Sequence, residues 1–535
     1  MKPSLKHRLF ARGSSPPVFI WVPALGIIVL LLISPTYLTL RSLGAGSEGL
    51  ELLLRPRIAE ILFRTLLLVT SVTTATIIIA VPLAWLQIRT DLKAGKFWRI
   101  TTSLPLVIPT YVGGFVLVVE FGPKGALHSI LEPLFGVKTM PDISGFLGAF
   151  LLLSILSFPY VLLPVRGALS RIDNSLEEAS RNLGYSQFRT FIQLTLPLLR
   201  PSIISGALLV ALYTLSDFGA VSLLRYETFT WAIFSQYEGA LNRYLGALLS
   251  LVLMLLALSI VIVEGCLRGR GKYYRSDGGG ERPPSLVKLG GWQIFAQLYS
   301  GAVCFLGLVV PCSVLIYWVA REIFTDRLEY INLLGLAWNS LAISLAAALV
   351  TILSALPIAI LSVRYPSMLS YILEKITYVG FALPGIAVAL GLVFFGSQYM
   401  GWFYQSFWIL IAGYLVLFLP AAVGAMRTSL LQVQPGLEYA GRSLGREAFP
   451  VMRSITLPLM RPGIFAGGAL VFLLTMKELP ATLILSPLGF ETLATEVWSA
   501  SSEALFAQAA APALILILSA AIPLIFVTMK DQLKI

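Results

Sequence analysis

An all-α, polytopic membrane protein of about 12 transmembrane helices is the fold class this sequence predicts, and three observations predict it. First, the 535 residues are 57% hydrophobic with a mean hydropathy of +0.84, and only 12% are charged. That is roughly half the charge of an ordinary soluble protein. It is too little to cover a water-facing surface, so apolar stretches of about 20 residues read as spans and not as the core of a large soluble enzyme. Second, Lys and Arg are unevenly shared between successive loops. Third, a polar segment is written twice.

The chain opens with MKPSLKHRLFARGSSPPVFIWVPALGIIVLLLISP, basic residues before an apolar run. The run is long for a cleaved signal peptide, and no small-x-small site follows promptly, so it reads as a retained first span. Spans are expected near 18–38, 62–86, 102–120, 146–165, 203–224 and 244–264. A second set is expected near 301–320, 339–363, 376–396, 403–426, 463–487 and 507–529. Each is long enough to cross a hydrocarbon layer of about 30 Å. Pro105 and Pro109 interrupt the third. "YVGG" (111–114) and "LPGIAVALG" (383–391) read either as broken helices lining a cavity or as kinked core helices.

With the N-terminus in the cytoplasm, 28 Lys and Arg fall inside and 10 outside, and Lys477 lies in a span. This is the positive-inside pattern, with both termini cytoplasmic. It accounts for the net charge of +12, so nucleic acid is not invoked. Segment 268–291, rich in Gly and Pro, reads as a cytoplasmic linker between a first lobe, 1–267, and a second, 292–535. The cysteines (Cys266, Cys304, Cys312) suggest no disulfide framework, and His7 and His128 suggest no metal site.

The repeat relates EEASRNLGYSQFRTFIQLTLPLLRP (177–201) to EYAGRSLGREAFPVMRSITLPLMRP (438–462), an offset of 261 residues. Downstream, Arg200, Pro201, Gly206, Thr214, Asp217 and Ala220 match Arg461, Pro462, Gly467, Thr475, Glu478 and Ala481. Upstream the offset becomes 275, pairing Pro82 with Pro357 and Pro109 with Pro384. The extra residues fall before span four, in a loop expected to hold a short re-entrant or surface helix. Six spans per copy make the repeats parallel, related by an axis along the membrane normal, which leaves a pathway along that axis.

Both copies of the segment fall on the cytoplasmic side. Each reads as a helix–turn–helix elbow. Acidic residues suit its first N-terminus. Gly184 and Gly445 serve either positive φ or close backbone approach. Pro197 and Pro458 are expected to break the second stretch before the next span. Two near-identical elbows are better explained by two docked partner subunits than by helices that only cap the bundle.

The segments resemble the EAA loop of the permeases of binding-protein-dependent ABC importers. The matching residues are Glu177, Ala179, Gly184 and Leu196-Pro197, then Glu438, Ala440, Gly445 and Leu457-Pro458. Tyr439 departs from the usual small or acidic second residue. The resemblance covers nearly the whole chain and implies two MetI-like permease repeats. TLSDFGAVSLLRYETFT (214–230) and KELPATLILSPLGFETLATEVW (477–498) look most like the fused ferric iron permeases. Thiamine, phosphonate or another small solute is the alternative, and a secondary transporter a further one.

The resemblance implies a division of labour in a bacterial-type inner membrane. A periplasmic or lipid-anchored binding protein delivers solute. Two copies of a cytoplasmic ABC ATPase, which bind ATP and Mg, dock on Glu177, Glu178, Ala179, Gly184, Pro197, Glu438, Ala440, Gly445 and Pro458. No cofactor is expected in this chain, nor is ATP hydrolysis. The nearest approach to a phosphate loop, before Gly271-Lys272, has Cys266 where Gly is needed and Tyr273 where Ser or Thr is needed.

Asp217, Lys477 and Glu478 are read within spans five and eleven or near their outer halves. Facing lipid there costs at least about 2.5 kcal/mol each, so they should line the pathway or a lobe contact. Mutual pairing with Lys477 and direct solute coordination both remain open. For ferric iron, hard oxygen donors would include these acids, Tyr226 or Tyr237. Gly206, Gly467 and Gly468 read as close-packing positions.

Overall fold

The computed structural model describes residues 16–532 except 45, 123–131, 133–141, 171, 173, 239–242, 268–285, 325–331 and 381–382. Most of the linker and the loop before span four lie outside the described residues. Among the described residues the chain is helical, with one isolated bridge between Thr90 and Val287.

Among the described residues, ten helices are long and apolar enough to cross a membrane. The two exceptions among the twelve expected spans are the same element of each repeat. The third is a pair, Gly95–Val107 and Thr110–Glu120, bent by 89°. The ninth is split into Met368–Val379 and Gly385–Tyr399. The cause is local: Pro109 and Pro384 stand in extended backbone just before the second helix of each pair. Proline fixes φ and has no amide to donate, so the helix restarts there. Pro82 and Pro357, by contrast, lie within continuous helices, Pro56–Arg89 and Leu333–Arg364.

The chain divides into two compact units that cut across the chain order of the repeats. One comprises 56–231 and 255–327, the other 1–55, 232–254 and 328–535. In the first, Pro56–Arg89, Pro159–Leu169 and Leu196–Ser216 pack on one another, and Val310–Phe324, from the second half, joins Thr110–Glu120. In the second, Leu333–Arg364, Phe407–Gln432 and Leu457–Met476 form the corresponding trio, and Val18–Leu43, from the first half, packs on Leu333–Arg364 and Gly385–Tyr399. Each half therefore contributes its first span to the other half's core.

Small residues set the closeness of these trios. A Cβ on Gly206 would lie 2.7 Å from Val161 Cα and 2.9 Å from the Tyr160 carbonyl oxygen. A Cβ on Gly467 would meet Ala425 Cβ at 3.4 Å, an ordinary contact, and one on Gly468 would meet Ile352 Cδ1 at 2.6 Å. Close approach is thus obligatory at Gly206 and marginal at Gly467.

Candidate functional site: two elbows and two helix breaks

Each elbow begins with a short helix, Asn174–Asn182 or Pro435–Ser443, with Glu177 or Glu438 in its first turn. Gly184 and Gly445 end the turns at φ +86° and +81°. A Cβ at either would meet nothing within 4 Å, so positive φ, and not close approach, selects glycine. The amide of Tyr185 donates to the Ser180 carbonyl and that of Gly184 to Arg181. Arg446 to Gly441 and Gly445 to Arg442 repeat the pattern. Both turns are Schellman-type caps.

The second elbow helix corrects the sequence reading. Pro197 and Pro458 do not break it. It runs continuously from Gln187 to Ser216 in one repeat and from Ala448 to Met476 in the other. A π-helical turn, Phe191–Thr195 or Met452–Thr456, comes just before the proline. The wider turn accommodates the ring and the missing amide within a continuous helix. Elbow and span are one rod.

The acidic residues are held from inside. Arg89 Nε lies 3.4 Å from Glu177 Oε1, to which Thr195 Oγ1 donates at 2.9 Å. Arg89 Nη2 donates to the Ile172 carbonyl at 3.1 Å. In the second repeat, Arg364 Nε lies 2.9 Å and 3.1 Å from the two oxygens of Glu438, and Thr456 Oγ1 donates to that carboxylate at 3.0 Å. Arg364 Nη2 donates to the Val433 and Leu430 carbonyls at 2.9 Å and 3.4 Å. Arg89 and Arg364 are the last residues of their helices and are related by the same offset, 275, as the proline pairs. That offset was the signal that sequence reading left unused.

The outward face is different in kind. Glu178, Ala179, Gly184, Tyr439, Ala440 and Gly445 are exposed, and Pro197 is more exposed than Pro458. Leu183 and Leu444, at matching positions, are 79% and 84% exposed, and Phe188 and Phe449 are exposed beside them. Large apolar side chains at matching places, amid Arg181, Asn182, Arg442 and Ser443, make two similar amphipathic faces.

Asp217 and Glu478 lie just past the ends of the long helices, at breaks that the sequence reading did not place. The helices end at Ser216 and Met476, and short helices, Gly219–Leu223 and Pro480–Leu485, follow. Asp217 Oδ1 accepts from the amides of Ala220 and Val221 at 3.1 Å and 3.3 Å. Glu478 Oε1 accepts from the amide of Ala481 at 3.2 Å. Both carboxylates thus satisfy amides that a helix start leaves unpaired. Their other neighbours are matched to side-chain length. Thr110 hydrogen-bonds Asp217. At the position equivalent to Thr110 stands Gly385, where a Cβ would lie 2.5 Å from Glu478 Oε1. The longer acid has the residue without a side chain opposite it.

The remaining candidates are dispersed. Tyr226 OH donates to the Arg64 carbonyl at 3.0 Å, and Tyr237 packs edge-on against Phe394 at 6.4 Å. Lys477 is buried next to Glu478. Among the described residues, no three His, Cys, Asp or Glu side chains converge.

With this geometry in view, comparison with known proteins finds a match to the family of binding-protein-dependent transport system inner membrane components over residues 76–265 and again over 351–533. A Fe(3+)-transport system permease protein of Haemophilus influenzae is 37% identical over 97% of this chain and 99% of its own length. A ferric transport system permease protein of Actinobacillus pleuropneumoniae is 27% identical over 72% of this chain and 59% of its own. A molybdenum transport system permease protein of Escherichia coli is 36% identical over 26% of this chain and 58% of its own.

Proposed function

Because the chain belongs to the family of binding-protein-dependent transport system inner membrane components, we propose that it is the fused, two-lobed permease of an ATP-driven ferric iron importer. It forms the solute pathway with its two repeats. Two ATPase subunits dock on its elbows from the cytoplasm, and a binding protein delivers solute to the opposite face. The observation that carries the reading is the pair of matching amphipathic elbows, each continuous with a span.

A rod that is a surface helix at one end and a span at the other transmits displacement without a hinge. Closure of the ATPases would move Gln187–Ser216 and Ala448–Met476 as levers and switch the access of the pathway. ATP and Mg reside in the partners. Within the docking faces, Glu178, Ala179, Gly184, Ala440 and Gly445 supply surface, while Glu177 and Glu438 hold that surface in place. Asp217 and Glu478 fix the breaks at the far ends of the same levers, and Lys477 neutralises charge beside Glu478. The assignment of ferric iron rests on the relatives' names and their coverage.

The test reconstitutes the complex in proteoliposomes and follows ATP hydrolysis while Fe(III)-loaded binding protein is titrated. Thiamine- and phosphonate-loaded receptors serve as controls. Selective stimulation by the iron-loaded receptor is expected. Stimulation by another receptor would overturn the solute, and uptake without any ATPase would overturn the importer class.

A further inference from the structure

We propose that Arg89 and Arg364 are positioning residues for energy coupling. Each ties the glutamate of its elbow to the end of a second helix, so that elbow displacement enters two spans of each repeat. The inference rests on the ATP-driven reading above.

The covalent path joins each elbow to the span before it and to the lever after it. Nothing in that path ties the first elbow helix, Asn174–Asn182 or Pro435–Ser443, to the lever beside it or to Pro56–Arg89 or Leu333–Arg364. The carboxylate supplies that link. It receives the hydroxyl of Thr195 or Thr456 from the lever, and the guanidinium of Arg89 or Arg364 from Pro56–Arg89 or Leu333–Arg364. The same guanidinium also reaches carbonyls at the chain leaving the preceding helix, at Ile172 in one repeat and at Leu430 and Val433 in the other. Four segments therefore meet at each arginine.

The site is largely closed to water. The Arg89 side chain is 4% exposed, and those of Arg364 and Glu438 are each 13% exposed. An ion pair in such a setting is strongly directional and is costly to leave half-made. The two elbows differ in many positions, including Glu178 against Tyr439 and Ser180 against Gly441. The Arg–Glu–Thr set is nevertheless the same in both, so one chain contains two independent instances of the arrangement.

The experiment uses the permease purified with the ATPase and binding protein that accompany it from its membrane. Arg364→Gln, Arg364→Lys, Glu438→Gln and the Gln/Gln double variant are compared, with the Arg89 and Glu177 counterparts. Two quantities are read: solute imported per ATP hydrolysed, and amide hydrogen exchange across 435–443 and 174–182. Arg364→Gln should keep its ATPase complement and lose at least about fivefold in solute per ATP, while exchange across 435–443 rises. Lysine should restore part of the ratio, and the double variant should be no worse than the worse single. An assembled Arg364→Gln complex with the normal ratio, or two single losses that simply add, would overturn the proposal. If that variant does not assemble, Thr456→Val, which keeps both charges, is read instead, and unchanged ratio and exchange would overturn it equally. A wild-type complex without ATP-driven uptake would refute the transport reading itself. Hydrogen exchange would then still judge the clamp, since unchanged exchange in Arg364→Gln removes it.

Discussion

The two elbows hold their glutamates with the same partners but not with the same grip. Arg364 Nε reaches both carboxylate oxygens of Glu438, whereas Arg89 Nε reaches one oxygen of Glu177 at 3.4 Å. At the other end of each lever the pattern is again one design in two sizes. Aspartate stands with threonine in the first repeat, and glutamate with glycine in the second. The difference teaches that the two repeats keep the same connections with side chains of different length, the longer acid standing against the smaller neighbour. A substitution that is harmless in one repeat should therefore be harmful in the other.

The largest contrast is expected at the packing glycines. Gly206→Ala drives a methyl group into the backbone of Val161 and should cost about 1–3 kcal/mol of stability. Gly467→Ala meets only ordinary contacts and should stay within about 0.5 kcal/mol. Thermal unfolding of the two variants in detergent measures both, and equal costs would erase the distinction.

A somewhat smaller effect is expected at the breaks. Gly385→Thr sets a side chain against the carboxylate of Glu478 and should destabilise on its own. Combined with Glu478→Asp, it reproduces the pairing of the first repeat and should recover, with a coupling of about 0.5–3 kcal/mol in a double-mutant cycle. Additive losses would show that the two sites are not matched.

The turn glycines should behave alike. Gly184→Ala and Gly445→Ala have room for the methyl group but must hold positive φ, a cost of about 1 kcal/mol each. Hydrogen exchange across 174–182 and 435–443 would show the loosening, and a clear difference between the two would break the equivalence of the elbows.

The smallest effect concerns Glu496, the fourth residue of Leu493–Ser502; the fourth residue of Phe229–Glu238 in the first repeat is Ala232. Burial, then the nearby charges of Glu491 and Glu503, raises its pKa above the ordinary glutamate value. The folded state thus keeps this proton more tightly than the unfolded chain. Stability should fall as pH rises through and just above the glutamate range. Glu496→Gln should flatten that slope in melting curves taken across the range, and an unchanged slope would refute it.

The sequence made the repeat, the span order and the elbow turns legible, because each has a local cause. Gly184 and Gly445 sit where a helix cap needs positive φ, and Pro109 and Pro384 each stand in extended backbone at a helix start, whereas Pro82, Pro357, Pro197 and Pro458 lie within continuous helices. The breaks at Asp217 and Glu478 were not legible. Hydropathy continues through Phe218–Leu224 and Leu479–Leu485, so nothing in composition marks an end. The capping bonds that define those ends become visible only in three dimensions. Arg89 and Arg364 were hidden differently. Arginine at the end of a span is expected from topology alone, so its second task, holding a glutamate 88 residues on in one repeat and 74 in the other, was marked only by the offset of 275 that the two arginines share with the prolines. The exchange of first spans between units is likewise invisible to any reading that follows chain order.

The proposed function gives this chain two equivalent seats for an ATPase. Native mass spectrometry of the complex from its membrane tests it most directly, combined with photo-crosslinking from Leu183 and from Leu444. Two ATPase subunits per permease chain, with one crosslinked from each position, is the predicted result. A single ATPase per chain, or crosslinks from one elbow alone, would contradict it.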